Sequence, residues 1–281
     1  MTVRIVTDST ADISEKLAKE FGIGIVPLNI HFGNEVYKDG VDIWSDEFYH
    51  RLINEPVLPN TSQPSPGEFL KLYQEIAKPG DTIISIHIST EMSGTLSSAR
   101  IASEILGNDY RVEIIDSRFV CLVLGMIVLR AAEMAREGKS PEDIINAIES
   151  WKEEIEVFFT VNSLEYLSRT GRIGKASAFL GGLLNIKPLL GIKDGVIVPI
   201  EKVRGNFQRV AEIMVDKFAE RYANRPLEIF IVHTELPDLA TVLRKLAETR
   251  LNITKLHIGI IGPVVGAHAG PNTVGIIGLP V

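Results

Sequence analysis

The chain has 281 residues, enough for one large domain or two of ordinary size. Its 45% hydrophobic and 23% charged content is that of a globular protein in water, and a net charge of −7 lacks the basic face that nucleic acid demands. A single cysteine, Cys121, excludes an intrachain disulfide framework and suits a reducing cytoplasm, the expected location.

The N-terminus, "MTVRIVTDST", enters a strand pattern directly and has no signal-peptide architecture. The longest apolar run, "FVCLVLGMIVL" from Phe119 to Leu129, is closed by Arg118 and Arg130. A membrane span needs about 20 such residues, so this run reads as a buried helix, with Cys121 a small buried hydrophobe. Along the first half, strands and helices alternate. Val3–Thr7 is a strand, after which Asp12 caps a helix in a capping box with Glu15. Gly24–Ile30 is a second strand. Ser45 opens an amphipathic helix that stops before Pro56. In "NTSQPSPGEF", Ser65 caps a helix with Pro66 first and Glu68 third. Thr82–His87 is a strand, followed by the loop "ISTEMSGT" and a helix to about Ile105. Val112–Ile115 is a strand ending in Asp116-Ser117.

Near-continuous apolar strands joined by helices imply a mostly parallel sheet covered on both faces, a Rossmann-like α/β domain. Its strand-to-helix loops gather at the carboxyl edge, where ligands bind. Asp8-Ser9-Thr10, Ser89 to Thr95 and Asp116-Ser117 are therefore expected to be neighbours, joined by the Thr61-Ser62 loop. After a helix with Ser140 at its cap and Pro141 first, the pattern changes. Val157–Asn162 is a strand, and "KPLLGIKDGVIVPIEKV" is a hairpin turning at Asp194-Gly195. Helix Phe207–Tyr222, strand Leu227–His233, helix Pro237–Arg250 and strands near Lys255–Ile261 and Thr273–Gly278 follow. This predicts an α+β sandwich over 156–281 behind a Rossmann-like domain over 1–155.

The chemistry-bearing stretches are few. The loop before Thr95 has no lysine for a phosphate loop, and Glu91 stands where a nucleophile elbow around Ser93 needs its first glycine. Either Ser93 or Thr95 caps the helix, or hydroxyls and amides around Ser93, Gly94 and Thr95 cradle a weak anion. Donors without cations suit one carboxylate better than a doubly charged phosphate. Thr61 and Ser62 form a turn or lend a second hydroxyl to the same headgroup. Asp8 and Asp116 are turn formers or acids, and without histidine partners they make no metal site. Gly125, Gly181 and Gly182 lie in apolar segments, where they serve close helix packing or a slot for a long apolar chain. Arg169, Arg172 and Lys175 surround a Gly171/Gly174 turn, a solvated basic turn or a docking patch for an anionic partner. His268 sits in the glycine-rich loop "GPVVGAHAGPNTVG" with no triad order or metal spacing.

Taken together, "VRIVTDSTADIS", "NTSQPSPGEF", "IHISTEMSGTLSSAR", "VEIIDS", "SRTGRIGKASAFLGGLLNIKPLL" and "GPVVGAHAGPNTVGI" resemble the DegV family of bacterial fatty-acid-binding proteins. The resemblance implies a two-domain protein holding one long-chain fatty acid between its domains and having no catalytic centre, metal or cofactor of its own. It also implies a partner, a separate ATP-binding fatty acid kinase subunit that makes acyl phosphate for phospholipid synthesis. Carried over by motif, Thr61 and Ser93 bind the carboxylate, with Ser62, Gly94, Thr95 and His268 as further headgroup candidates. Arg172 and His268 serve presentation to the kinase. The competing readings are an acyl or phosphoryl transferase using Ser93 or His268, and a small carbonyl-metabolite binder of the dihydroxyacetone kinase type.

Overall fold

The computed structural model describes residues 2–180 and 186–281, which divide into two compact units. The first is made of the chain up to Trp44, Pro56–Glu153 and Gly262–Val265; the second is Ser45–Glu55, Glu154–Ile261 and Gly266–Val281. The sequence boundary near 155 leaves out both exchanged segments, because a local pattern carries no sign of a segment that packs with distant chain.

The first unit begins with strand β1 (Val3–Asp8), helix α1 (Glu15–Phe21) and strand β2 (Gly24–Val26), then a hairpin of β3 (Asn29–Phe32) and β4 (Glu35–Lys38). Helix α2 (Ser45–Asn54) belongs to the second unit. The first resumes with β5 (Asn60–Ser62), α3 (Pro66–Ile76), β6 (Thr82–His87), α4 (Thr95–Leu106), β7 (Arg111–Asp116), α5 (Leu122–Arg136) and α6 (Pro141–Glu154). Strands β2, β1, β6 and β7 make a parallel sheet in that order. Every residue of β6 is buried, which is why the strand reads as a continuous run rather than an alternation. Phe69 and Tyr73 of α3 and Ala99 and Ala102 of α4 pack on Val6 and Ile83. The Ser65 capping box on α3 forms as expected.

Three local readings change. Asp8, not Asp12, starts the structure after β1: Ser9–Ala11 form a 3-10 turn, and Asp12 closes it in a left-handed conformation at φ 52°. That turns the Asp12 side chain inward, and Ser14 caps α1 instead, accepting from the Leu17 amide. The run Gly24–Ile30 breaks at Pro27, so that β2 joins the parallel sheet while β3 pairs with β4 and β5 in a separate antiparallel sheet. The "GPVVGAHAG" stretch is not a loop but a short helix.

The second unit contains β8 (Glu156–Thr160), α7 (Glu165–Arg169), β9 (Ile186–Lys193), β10 (Val196–Arg204), α8 (Phe207–Tyr222), β11 (Leu227–His233), α9 (Pro237–Arg250) and β12 (Ile253–Ile260). The short helix α10 (Pro263–Ala269), which belongs to this unit from Gly266 on, and strand β13 (Val274–Pro280) complete it. Its six-stranded sheet runs β10-β9-β8-β13-β11-β12, antiparallel except for the β11–β12 pair. The β9–β10 hairpin turns on Asp194 at φ 51° and Gly195 at φ 78°, the two positive angles of a type I′ turn. Met214, Val215 and Phe218 of α8 and Leu243 of α9 close over Ile229, Ile231 and Ile276 of the sheet. The fold is therefore a parallel α/β unit with a mostly antiparallel α+β unit beside it in sequence.

Besides the fully buried Asp8, two acids of the first unit are shifted by burial. Burial pushes Asp12 up to about 7, against hydrogen bonds from the Cys121 thiol and the Gly262 amide, with Asp8 adding repulsion. Burial, then the Asp12 charge, pushes Asp39 up to about 8, against a hydrogen bond from Ser9. Burial and the neighbouring Asp12 also push the Cys121 thiol well above its usual range, leaving it inert at neutral pH. Gly125 of α5 is explained by contact: a Cβ there would fall on the Ala11 carbonyl oxygen. Val123, Leu124, Met126, Ile127 and Val128 around it are all buried, so this glycine serves close packing of α5. Gly181 and Gly182 lie outside the described residues.

Gly125→Ala is expected to lose about 1–3 kcal/mol of stability through overpacking against rigid backbone, read by urea unfolding. The buried acids give a pH dependence of definite sign. Unfolded, both carboxyls titrate near 3.8; folded, near 7 and 8. Between those values the unfolded chain has released protons that the native state still holds, so stability falls as pH rises from about 4 to about 8 and levels off above. Asp12→Asn is expected to flatten that fall and raise Tm by several degrees at pH 8.5, measured by thermal scans across pH.

Candidate functional site

After β1 the chain crosses to β2 on one side and later returns to β6 on the other, so β1 and β6 flank the point where strand order reverses. The crevice outside the carboxyl ends at such a point is where open α/β sheets bind ligands. Asp8-Ser9 leaves β1 there, and Ile88 to Gly94 leaves β6 there. The three expected loops do meet. Asp8 Oδ2 accepts from the Ile88 amide at 3.1 Å, the Ser117 amide donates to the His87 carbonyl, and the Ser89 amide to the Phe119 carbonyl. Asp116 holds the far side of the loop, accepting from the Thr90 hydroxyl at 2.6 Å.

Within this frame Ser93 is half-buried just before α4. Its Oγ accepts from the Thr95 amide at 3.3 Å and lies 2.9 Å from the Thr95 hydroxyl. Gly94 is the N-cap and makes no side-chain cap, so the first amide of α4, that of Thr95, is capped by Ser93 instead. Thr95 is fully buried, which leaves Ser93 as the accessible hydroxyl of the pair. On the neighbouring strand β5, alternation puts Thr61 and Ser62 on opposite faces. Ser62 Oγ lies 2.9 Å from His31 Nε2, on the face away from Thr61. Gln63, one residue past the strand, reaches the Ser93 loop: its Nε2 donates to Ser98 Oγ at 3.0 Å, and its amide lies against Gly94. The Thr61 strand and the Ser93 loop are thus brought together by a residue that sequence reasoning passed over. Its only signal was its position between the Thr61-Ser62 pair and Pro64.

A second missed feature lies behind the loop. Asp8 Oδ2 accepts from His87 Nδ1 at 3.0 Å, and His87 Nε2 lies 2.7 Å from Ser85 Oγ, the connectivity of a hydrolytic triad. All three residues are fully buried, the Ser85 hydroxyl is also 2.8 Å from the Tyr73 hydroxyl, and the Phe69 ring stands edge-on against the imidazole. Burial pushes the Tyr73 phenol up to about 12, so it remains a hydrogen-bonding hydroxyl. With no access for a substrate, the constellation fastens β6 and its loop to β1. Two polar residues at alternate positions of an apolar strand were its signal.

In the second unit, Arg172 and His268 are neighbours. Helix α7 ends in a Schellman motif: the Arg172 amide donates to the Leu167 carbonyl and the Gly171 amide to the Ser168 carbonyl, with Gly171 at φ 74°. The basic turn is therefore rigid at its start, and the Arg172 guanidinium turns back to the Thr170 carbonyl. His268, on α10, is held down to about 4 by burial and then by the charges of Arg172 and Arg169, so its imidazole is neutral at pH 7. A conjugate acid that weak makes His268 a poor general base.

The family model described as "Uncharacterised protein, DegV family" matches residues 2–280. A DegV domain-containing protein of Caldanaerobacter subterraneus subsp. tengcongensis is 38% identical, over 98% of this chain and 97% of its own. The fold is similar to that of a DegV family protein from Thermus thermophilus solved for its fatty acid binding, with a TM-score of 0.93, 33% identity and all of both chains covered. It is also similar to DegV of Bacillus subtilis, described as a fatty acid binding protein, at a TM-score of 0.89 and 34% identity over all of both chains. A model match over nearly every residue and a relative of this identity establish that the chain belongs to the DegV family.

Proposed function

We propose that this protein binds a long-chain fatty acid, with the carboxyl group on Thr61 and Ser93. The observation that carries the reading is the switch-point loop of the first unit, which offers a half-buried serine hydroxyl and helix-end amides with no lysine or arginine between Ile88 and Ser98. Such a donor set suits a single carboxylate, whose charge is spread over two acceptor oxygens. The Thermus thermophilus and Bacillus subtilis proteins of the same fold are fatty acid binders. Gly94 and Thr95 serve this group through backbone rather than side chain.

The protein acts as a carrier and not as an enzyme. Among the described residues, the Ser93 hydroxyl is engaged with the amide and hydroxyl of Thr95. His268 is too weak a base to activate a nucleophile at neutral pH. Arg172, beside neutral His268 on a rigid turn, offers a fixed positive charge for a phosphoryl group or an acidic partner. In this reading a separate ATP-dependent kinase subunit phosphorylates the carried acid in the cytoplasm, and the acyl phosphate enters phospholipid synthesis.

Organic extraction of the purified, folded protein followed by mass spectrometry is expected to release a long-chain fatty acid; a folded protein that yields none refutes the reading. Ser93→Ala is expected to weaken acyl binding by the roughly 1–3 kcal/mol of a lost buried hydrogen bond, measured by calorimetric titration. Arg172→Ala is expected to bind fatty acid as tightly as wild type while lowering phosphorylation by the kinase subunit. Equal loss in both assays contradicts the division of roles.

A further inference from the structure

Gly94 has no conformational need to be glycine. Its backbone sits at φ −76° and ψ 7°, a region open to any L-residue. Space supplies the reason: a Cβ at Gly94 would fall on the Gln63 side-chain amide, with Oε1 nearest and both Cδ and Nε2 close behind. The amide of Gln63 therefore occupies the volume that a side chain at position 94 would fill. Its Nε2 continues to the buried Ser98 hydroxyl, one turn into α4. At its other end Gln63 follows directly on β5, whose register against β3 places Thr61 opposite Ile30 and Ser62 opposite Asn29. One side chain spans the gap between the strand that carries Thr61 and the loop that carries Ser93.

We propose that Gln63 is a positioning residue, a strut that sets the spacing of the Thr61 and Ser93 hydroxyls so that both engage one carboxyl group, and that Gly94 is glycine in order to admit it. The inference rests on the carboxylate reading of the site and adds a cause for its selectivity. Two hydroxyls held at a fixed spacing reward a headgroup with two oxygens over one with a single oxygen. The strut thus governs preference for a fatty acid over the fatty alcohol of equal chain length, whose tail burial is the same. A neutral amide performs this work without a positive charge that would favour a more highly charged anion.

The test is a double-mutant cycle on the delipidated full-length chain, titrated with palmitate and with hexadecanol. Alanine at 94 is compatible with the backbone and displaces only the far end of a flexible side chain, and Gln63 is solvent-exposed, so both variants are expected to fold with unchanged Tm and circular dichroism. Gln63→Ala and Gly94→Ala are each expected to weaken palmitate binding about tenfold, the scale of one lost hydrogen-bonded contact, and to leave hexadecanol binding within about twofold. The double variant is expected to be no weaker than the weaker single one, because the alanine at 94 has nothing left to displace. Additive losses, or equal losses for acid and alcohol, overturn the strut. If Ser93→Ala abolishes the acid preference while Gln63→Ala and Gly94→Ala keep it, the carboxylate reading stands and the strut falls. If wild type shows no preference for the acid, both fall.

Discussion

The carboxylate of Asp8 is the fixed point of the first unit. It lies at the end of β1 with no exposure, and its two oxygens take hydrogen bonds from the Thr10 amide and hydroxyl, from His87 and from the Ile88 amide. A buried carboxylate is tolerated only where donors surround it, and here the donors come from three directions. The 3-10 turn, the end of β6 and the start of the Ser93 loop are all defined relative to one side chain. The His87–Ser85–Tyr73 chain carries the same constraint across to α3. Positioning of Ser93 is thereby a property of the core and not of the loop's own sequence.

The electrostatic design follows from that placement. The first unit buries Asp12 and Asp39 near Asp8, and burial, with repulsion from the neighbouring aspartates, raises Asp12 to about 7 and Asp39 to about 8, so that Asp39 is mostly neutral and Asp12 about half so at pH 7. A cation at the loop would ease such a cluster, yet the donors around Ser93 are hydroxyls and amides. A headgroup bound this way contributes geometry more than affinity. Affinity must then come from elsewhere in the ligand: at about 0.8 kcal/mol per buried methylene, a chain of fourteen or so offers a gross driving force near 11 kcal/mol before ordering costs. Under the proposed carrier reading, selectivity and affinity are assigned to opposite ends of the same molecule.

Much of this was legible in the amino-acid sequence, and the exceptions have physical causes. Helices α8 and α9 and strand β11 agree with their expected ranges because periodicity, caps and apolar runs act locally. Ser65 caps α3 because a capping box is contained in four residues. Asp12 was misplaced because two serines and two aspartates compete within seven residues, and the winner was decided by burial against Cys121 and Gly262, which are far away in sequence. Proline 27 marked a break that apolar content concealed. Ser93 and Thr61 were recognisable as hydroxyls beside helix starts, whereas Gln63 was not, since its meaning lies in a glycine 31 positions later. The exchange of Ser45–Glu55 and Gly262–Val265 between the units has no local signature at all.

The contact between Asp12 and Gly262 has a consequence for synthesis. The carboxyl of Asp12 is made among the first residues, while the amide that satisfies it belongs to a segment that emerges 250 residues later. At about 5–20 residues per second, a nascent chain waits roughly 12–50 s between the two. Throughout that interval the Asp12 carboxyl is without the Gly262 amide that donates to it in the folded chain. The first unit therefore cannot bury its last acid until nearly the whole second unit has left the ribosome. Closure of the first unit around Asp12 is thus a late step in synthesis, fixed by the 250 residues that separate the two groups.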